Sequence, residues 1–198
     1  MTPGRRGRPR DASFEARVLE ATRELLAEHG FDATTVQAIV QRSGVHASAI
    51  YRRWSTRTEI IERAVFPGLS SVSVAPTGDL EHDLRRFIRA YLAALFAPAA
   101  RAALPRLLGT YATEGRDGSQ EAWIAVSARP QFVDILRAAH GGRVDPGLDL
   151  DDAFDVLLGA ILARAVVPTV VQRNRPVERL VELTLRMLAP ARIHGERR

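Results

Sequence analysis

The chain has 198 residues, 46% of them hydrophobic, and carries 28 basic side chains against 23 acidic ones for a net charge of +5. This apolar fraction excludes a chain disordered by composition, and the length allows one sizeable core or a small head of about 60 to 70 residues beside a larger body. There is no cysteine, which excludes disulfides, thiolate metal sites and a thiol nucleophile and suits a reducing, cytoplasmic setting.

Every basic residue is arginine, and Arg5, Arg6, Arg8 and Arg10 form an N-terminal arm with no acid before Asp11. The arm is either a solvated tail or a segment that enters a minor groove or pairs with phosphates. It has no apolar run behind it and is not a signal peptide. Phe14, Val18, Ala21, Leu25 and Leu26 then recur at helical spacing, which predicts a first amphipathic helix that stops near Gly30. Thr34 is expected to cap the second helix, its hydroxyl accepting from the Gln37 amide while the Gln37 side chain reaches back. Gly44 marks a sharp turn that favours positive φ. A third helix is predicted from about His46 to Arg53. Thr56 and Glu59 have capping-box spacing at the head of a fourth, whose Ile60, Ile61, Ala64 and Val65 lead to Pro67.

These elements define a head over residues 1–66, a linker over 67–78 rich in Ser, Val, Pro and Gly, a helical body over 79–190 and a tail over 191–198. The body opens with Leu80, Leu84, Phe87, Ile88, Tyr91, Leu92 and Leu95 on one helical face, limited by Pro98. Helical text resumes from about Ala99 to Thr113. After a loop, a further segment runs to His140 with Pro130 as a break or first-turn residue. The last two helices are predicted over about Leu150 to Gln172 and Pro176 to Ala189. The apolar run from Ala153 to Val171 contains Asp155, Arg164 and Pro168. Each charge would cost about 2.5 to 3.5 kcal/mol at a bilayer centre, so a membrane partner is not expected.

In the first of those two helices Phe154, Val156, Leu157, Leu158, Ile161, Leu162, Val166 and Val167 point around the whole circumference, and one domain core cannot cover them all. The expected cover is a second subunit about a two-fold axis, with Phe154, Leu157, Leu158, Ile161, Leu162, Leu180, Val181, Thr184 and Leu188 at the interface. The other reading is a buried hairpin inside one monomer.

The run Gly30-Phe31, Thr34-Thr35-Val36, Ile39, Gly44-Val45, Ile50-Tyr51, Trp54, Arg57 and Glu59-Ile60 resembles the DNA-binding domain of TetR-family transcriptional regulators. The match covers some thirty residues at fixed spacing. The resemblance implies an all-α protein with a three-helix helix-turn-helix head and a helical body that dimerises and binds a small effector. Departures are Val40 and Ser43 where alanine is frequent, Ser48-Ala49 for Gly-Thr, Trp54 for phenylalanine and Arg57 for lysine. In the body, Gly78-Asp79-Leu80, Gly141-Gly142 and Leu158-Gly159-Ala160 through Arg164 resemble one C-terminal subgroup of the family more loosely.

An α-helix fits the major groove, where each base pair shows a distinct donor and acceptor pattern. Placed there, Val45, His46, Ala47, Ser48 and Ala49 approach base edges, although Val45, Ile39 and Ile50 also read as core between the helices. Arg52 and Arg53 reach guanine or phosphate, or stand as a solvated face. Thr34, Thr35, Tyr51 and Arg57 suit phosphate contacts, supplying a helix N-terminus, a hydroxyl and a cation. Phe87, Tyr91, Tyr111, Trp123, Phe132 and Phe154 either line an effector pocket or form an aromatic core. His29, His46, His82, His140 and His194 have no metal spacing, and Asp149, Asp151, Asp152 and Asp155 read as helix-head acids. Neither a metal, a cofactor nor catalysis is expected. The function expected is a homodimeric regulator, most simply an effector-released repressor, on a pseudo-palindromic double-stranded operator. A transcriptional activator, or a ligand-binding protein of the same fold without DNA, are the other readings.

Overall fold

A computed structural model describes residues 10–66, 74–114, 128–167 and 175–190. Arg5, Arg6 and Arg8 of the arm, the linker before Val74, Trp123, residues 168–174 and the tail from 191 lie outside the described residues. Among those described there are nine helices and no strand, which makes the chain all-α as expected. The helices are α1 (Arg10–Ala33), α2 (Val36–Ser43), α3 (Ala47–Tyr51), α4 (Arg57–Val65), α5 (Leu80–Phe96), α6 (Pro98–Glu114), α7 (Arg129–Ala138), α8 (Leu150–Val166) and α9 (Pro176–Leu188). They fall into two compact units, Met1–Pro67 with Pro98–Gly115, and Gly68–Ala97 with Arg116–Arg198.

In the first unit, Val18 and Leu25 of α1 meet Ile39, Val45, Ile50, Trp54 and Ile60 in one core. Each large side chain taken out of water there contributes about 1.5 to 3 kcal/mol. Trp54 anchors it, 2% exposed, with the Phe14 ring 5.7 Å away. The α6 helix packs on α1 and α4 through a face that buries Ala103, Leu104 and Leu107. Arg106 pairs with Asp32 at 2.9 Å, and the Tyr111 hydroxyl donates to Glu62 at 2.6 Å. A helix that the linear division places in the body thus shares a compact unit with the helix-turn-helix.

The entry to α2 differs from the sequence expectation by one residue. The first helix breaks at Gly30 (φ 78°, ψ −177°), where the sequence places its stop, and a separate turn follows as far as Ala33, so the chain re-enters helix later than Thr34. Thr34 is fully buried and its hydroxyl donates to the Gly30 carbonyl at 2.8 Å. Thr35 is the cap, accepting from the Ala38 amide at 3.1 Å. At the other end Gly44 has φ 66° and its amide closes on the Val40 carbonyl at 3.0 Å. A Cβ added there would meet nothing within 4 Å, so Gly44→Ala tests left-handed strain alone. It should lower stability by about 1 to 2 kcal/mol, read as a shift in the urea midpoint; an unchanged midpoint would refute the strain. The Thr56 cap is as expected: its hydroxyl accepts from the Glu59 amide at 3.1 Å, and the Glu59 carboxylate accepts from the Ser55 amide at 2.8 Å.

In the second unit α5 is the central helix, contacting α7, α8 and α9. Its predicted apolar face from Leu80 to Leu95 is buried. Asp79 caps it, accepting from the His82 amide at 3.1 Å. One turn in, Asp83 is fully buried and works as a clasp. Its carboxylate accepts from the Thr77 amide at 2.7 Å, the Thr77 hydroxyl at 2.9 Å and the Gly78 amide at 3.2 Å. The last residues of the expected linker are therefore bound to α5. Gly78, at φ 90°, lies so close to the His140 ring that a Cβ would stand 2.3 Å from it. Asp149 caps α8 by accepting from the amides of Asp151 and Asp152 at 2.8 and 3.2 Å, the ordinary helix-head role expected of that acidic run.

Candidate nucleic-acid interface

The turn at Gly44 sends the chain into α3 with Val45, Ile50 and Trp54 directed into the core. Val45, only 5% exposed, therefore cannot meet a base edge and is corrected from reader to core. Periodicity then fixes the opposite side of this short helix. Ala47, Ser48, Tyr51 and Arg52 occupy positions one helical turn apart and are all exposed, Tyr51 at 57%. His46, at the N-cap with extended backbone and no cap bond from its side chain, is exposed beside them. Ala49 is half-buried against the core. The helix is shorter than expected, with Arg52 as its C-cap rather than an interior residue.

The cations nearby are held differently from one another. Arg52 is exposed and makes no ion pair among the described residues. Arg53 is paired with Glu15 of α1, its guanidinium 5.8 Å from the Trp54 ring centre. Arg57 lies 4.6 Å over the Phe31 ring and donates to the Asp32 carbonyl at 3.4 Å, which fixes it at the start of α4. Thr35 is exposed at the head of α2, where the first amides of a helix have no intrahelical acceptor and suit an anion. Thr34, buried and bonded to Gly30, is withdrawn from that set. Arg42 braces α2 on α1 through Glu24 at 3.0 Å and Glu28 at 2.7 Å. Its hydrogen bond holds the Glu28 carboxyl below the usual range. This support is present at neutral pH and fades as pH falls through that lowered value.

The aromatic residues of the second unit pack on one another. Phe87 lies 5.6 Å from Tyr91 and 5.8 Å from Phe132, and Phe154 lies 6.4 Å from Tyr91 and 5.6 Å from Phe132. All four are buried and packed ring against ring. Burial pushes the Tyr91 phenol above its usual range, against a smaller pull from Arg129. Arg129 lies 4.8 Å over Phe154 and pairs with Asp151 at 3.0 Å and with Asp155. Tyr111 belongs to the first unit and does not join this cluster. A polar cleft of about 580 Å³ opens at the start of α5, lined in part by Gly78, His82, Arg85, His140 and Arg143.

The expected subunit interface also needs correcting. Phe154, Leu157, Ile161, Leu180, Val181, Thr184 and Leu188 are all buried within one protomer, because α5, α7 and the α8–α9 pair enclose them. Leu158 and Leu162 are half-buried. Among the described residues of α8, its C-cap and α9, the large apolar side chains left exposed are Val156, 62%, Leu183, 44%, and Val167, 41%. The sequence counts Val156 and Val167 among the apolar residues around α8 but does not set any of the three at the interface. Their signal is the excess of apolar positions around α8, which shows that two faces exist but not which one points inward.

A family model for the N-terminal domain of bacterial regulatory proteins of the tetR family matches residues 18–64, and one for the tetracyclin repressor-like C-terminal domain matches residues 74–184. The chain belongs to the TetR family. It is a transcriptional regulator with a DNA-binding, repressor-type fold. An uncharacterized HTH-type transcriptional regulator of Mycobacterium tuberculosis is 29% identical over 191 residues, spanning 85% of this chain and 84% of the relative. Among solved structures, the TetR family regulator SCO0332 is 26% identical with a TM-score of 0.66, over 90% of this chain and all of that one (100%). BioQ, solved with its natural double-stranded DNA operator, has a TM-score of 0.63 at 16% identity, over 88% of this chain and 97% of that one. The match to BioQ concerns the fold.

Proposed function

We propose that the protein is a homodimeric repressor that binds a pseudo-palindromic operator and is released by a small molecule. The observation that carries this reading is the division of α3: Val45, Ile50 and Trp54 hold it in the core, while His46, Ala47, Ser48, Tyr51 and Arg52 face outward. Ala47 suits a thymine methyl, and His46 and Ser48 suit base-edge donors and acceptors. Tyr51, Arg52, Arg57 and Thr35 suit phosphates and set register. BioQ supports the choice of duplex DNA as partner, since it shares the fold and was solved on its operator.

Two heads are needed for an operator, and the exposed apolar residues Val156, Val167 and Leu183 favour a second copy as the cover for α8 and α9. Half-sites should then lie about one helical turn, ~34 Å, or a multiple apart. Release follows from linkage, because a ligand preferring the form with wrongly spaced heads weakens DNA binding by the same factor. Tyr91 and Arg129, polar groups bordering the aromatic cluster, are where such a ligand would be oriented. A DNA partner supports a cytoplasmic setting. No single described helix is long and apolar enough to cross a membrane. No catalytic role is proposed.

Selection from a random duplex library, followed by footprinting on the selected sequence, tests the reading. A protected inverted repeat is expected, and failure to recover one would sink it. Arg52→Ala should weaken all sequences alike and reduce the salt slope by about 0.9 for each head that loses a phosphate contact. A changed base preference at unchanged slope would reassign Arg52 to a base.

A further inference from the structure

The polar cleft at the start of α5 has no part in the proposed function, and its two walls, both in the second unit, come from distant places in the chain. One wall is the head of α5 from Gly78 to Arg85, and the other is the turn after α7 from His140 to Arg143. They meet at Gly78. Its carbonyl accepts from the His140 amide at 3.1 Å, and the His140 ring lies 2.3 Å from where a Cβ would stand, so a side chain at this position would displace the ring. The Asp83 clasp also holds the Gly78 amide, at 3.2 Å. The acids of the cleft are already engaged. Asp79 accepts from the His82 amide at 3.1 Å, which holds its carboxyl below the ordinary range, and Arg143 adds a weaker pull from beyond ion-pair distance. Glu81 pairs with Arg85 at 2.5 Å. By contrast, the side chains of His82, His140 and Arg143 make no hydrogen bond or ion pair among the described residues, and the Gly141 amide has no acceptor there.

We infer that this cleft binds a small polar molecule by its phosphate monoester group, held between His82 on one wall and His140, Gly141 and Arg143 on the other. A neutral imidazole still donates one N–H, a backbone amide donates one, and a guanidinium offers a planar fork that matches phosphate oxygens. Donors spread over two walls suit the three acceptor oxygens of a phosphate monoester. A carboxylate has two oxygens in one plane and would leave some of these donors unmet. A metal ion is not the occupant the side chains favour, because among the described residues no three His, Asp or Glu stand close enough to hold one. The cleft, at about 580 Å³, falls within the range of small-molecule sites, about 300 to 1,000 Å³, and so has room for the carrier of the phosphate. Only Leu80 brings an apolar side chain to the lining, which favours a polar carrier. The occupant would tie the turn after α7 to the head of α5. Neither Tyr91 nor Arg129 lines this cleft, and binding here does not depend on DNA.

The test is an NMR titration of the full chain without DNA, following backbone amides and imidazoles as inorganic phosphate, glycerol phosphate or acetate is added at one pH and constant ionic strength. Both phosphates should give saturable shifts at the Gly141 and Arg143 amides and at the His82 and His140 rings, and acetate should not. Arg143→Ala should weaken phosphate binding roughly tenfold, as expected for loss of a charge-assisted contact. His82→Ala and His140→Ala should each weaken it by a smaller factor. Arg89→Ala, at an exposed position of α5 outside the cleft, should change nothing. All four side chains are exposed, so the variants should keep the wild-type melting temperature. Any of three results would overturn the inference: shifts confined to the head around Thr35 and Arg52, the same phosphate affinity with and without Arg143, or acetate binding as tightly as phosphate.

Discussion

Val156→Arg is expected to turn the proposed dimer into a monomer at micromolar concentration without unfolding the chain. Val156 is 62% exposed in the protomer, so an arginine there costs the isolated chain almost nothing and its melting temperature should hold. In a two-fold interface the same change would bury a like charge from each subunit, a loss of several kcal/mol unless they are paired. Operator affinity should fall by about 100-fold or more, because the second head no longer binds as an intramolecular event. Sedimentation and operator titration read the two effects separately. Leu183→Arg, on α9, should behave alike. Substitution of Ile161, fully buried, would instead damage the fold and could not distinguish association from stability. A Val156→Arg protein that remains dimeric would remove this face from the interface.

Asp83→Ala should be among the most destabilising single changes in the second unit. The carboxylate accepts from two amides and a hydroxyl, all from Thr77 and Gly78, and it is itself fully buried. Removing it leaves donors that were shaped around an anion, and an unmet buried donor costs about 1 to 3 kcal/mol. Thr77 is partly wet, so water recovers some of this, and a net loss of about 2 to 4 kcal/mol is expected. Urea unfolding gives the magnitude. Hydrogen exchange gives the location, since the Thr77 and Gly78 amides should exchange faster than in the wild type. A loss under about 0.5 kcal/mol, the size typical of plain surface changes, would show that the clasp is ornamental.

Helix existence and order are legible in the sequence because apolar spacing along Val18 to Leu26, Ile60 to Val65 and Leu80 to Leu95 is a local property. Caps are legible to within a residue. Thr56 caps where its spacing says it should, but the spacing points to Thr34 where Thr35 does the work, because a separate turn after the break at Gly30 carries the chain on to Ala33. Nothing in the composition counts that extra turn. The candidate site is legible as a segment and not as a surface. Val45 reads as core and also as a residue able to approach a base edge until Trp54 and Ile50 are known to lie on its side. The same ambiguity hides the outer face of α8, where a helix apolar all around gives no direction. Asp83 looks like an ordinary first-turn acid, since its partners are donors in a loop whose path is not encoded by periodicity. The contacts of Arg106 with Asp32 and of Arg53 with Glu15 bridge 74 and 38 positions, beyond the reach of any local pattern.

The packing of α6 bears on how such a head can be exchanged between proteins. The chain runs from the first unit to the second, back at Pro98 and out again after Gly115. A fragment ending at residue 66 would retain every residue of the helix-turn-helix yet leave in water the faces of α1 and α4 that Ala103, Leu104 and Leu107 cover. The reading head is therefore not a bead that can be cut at the linker and strung onto another body. Transplanting it would take two separate stretches of sequence, and any shuffling event that moved only the first would deliver a head with an open side.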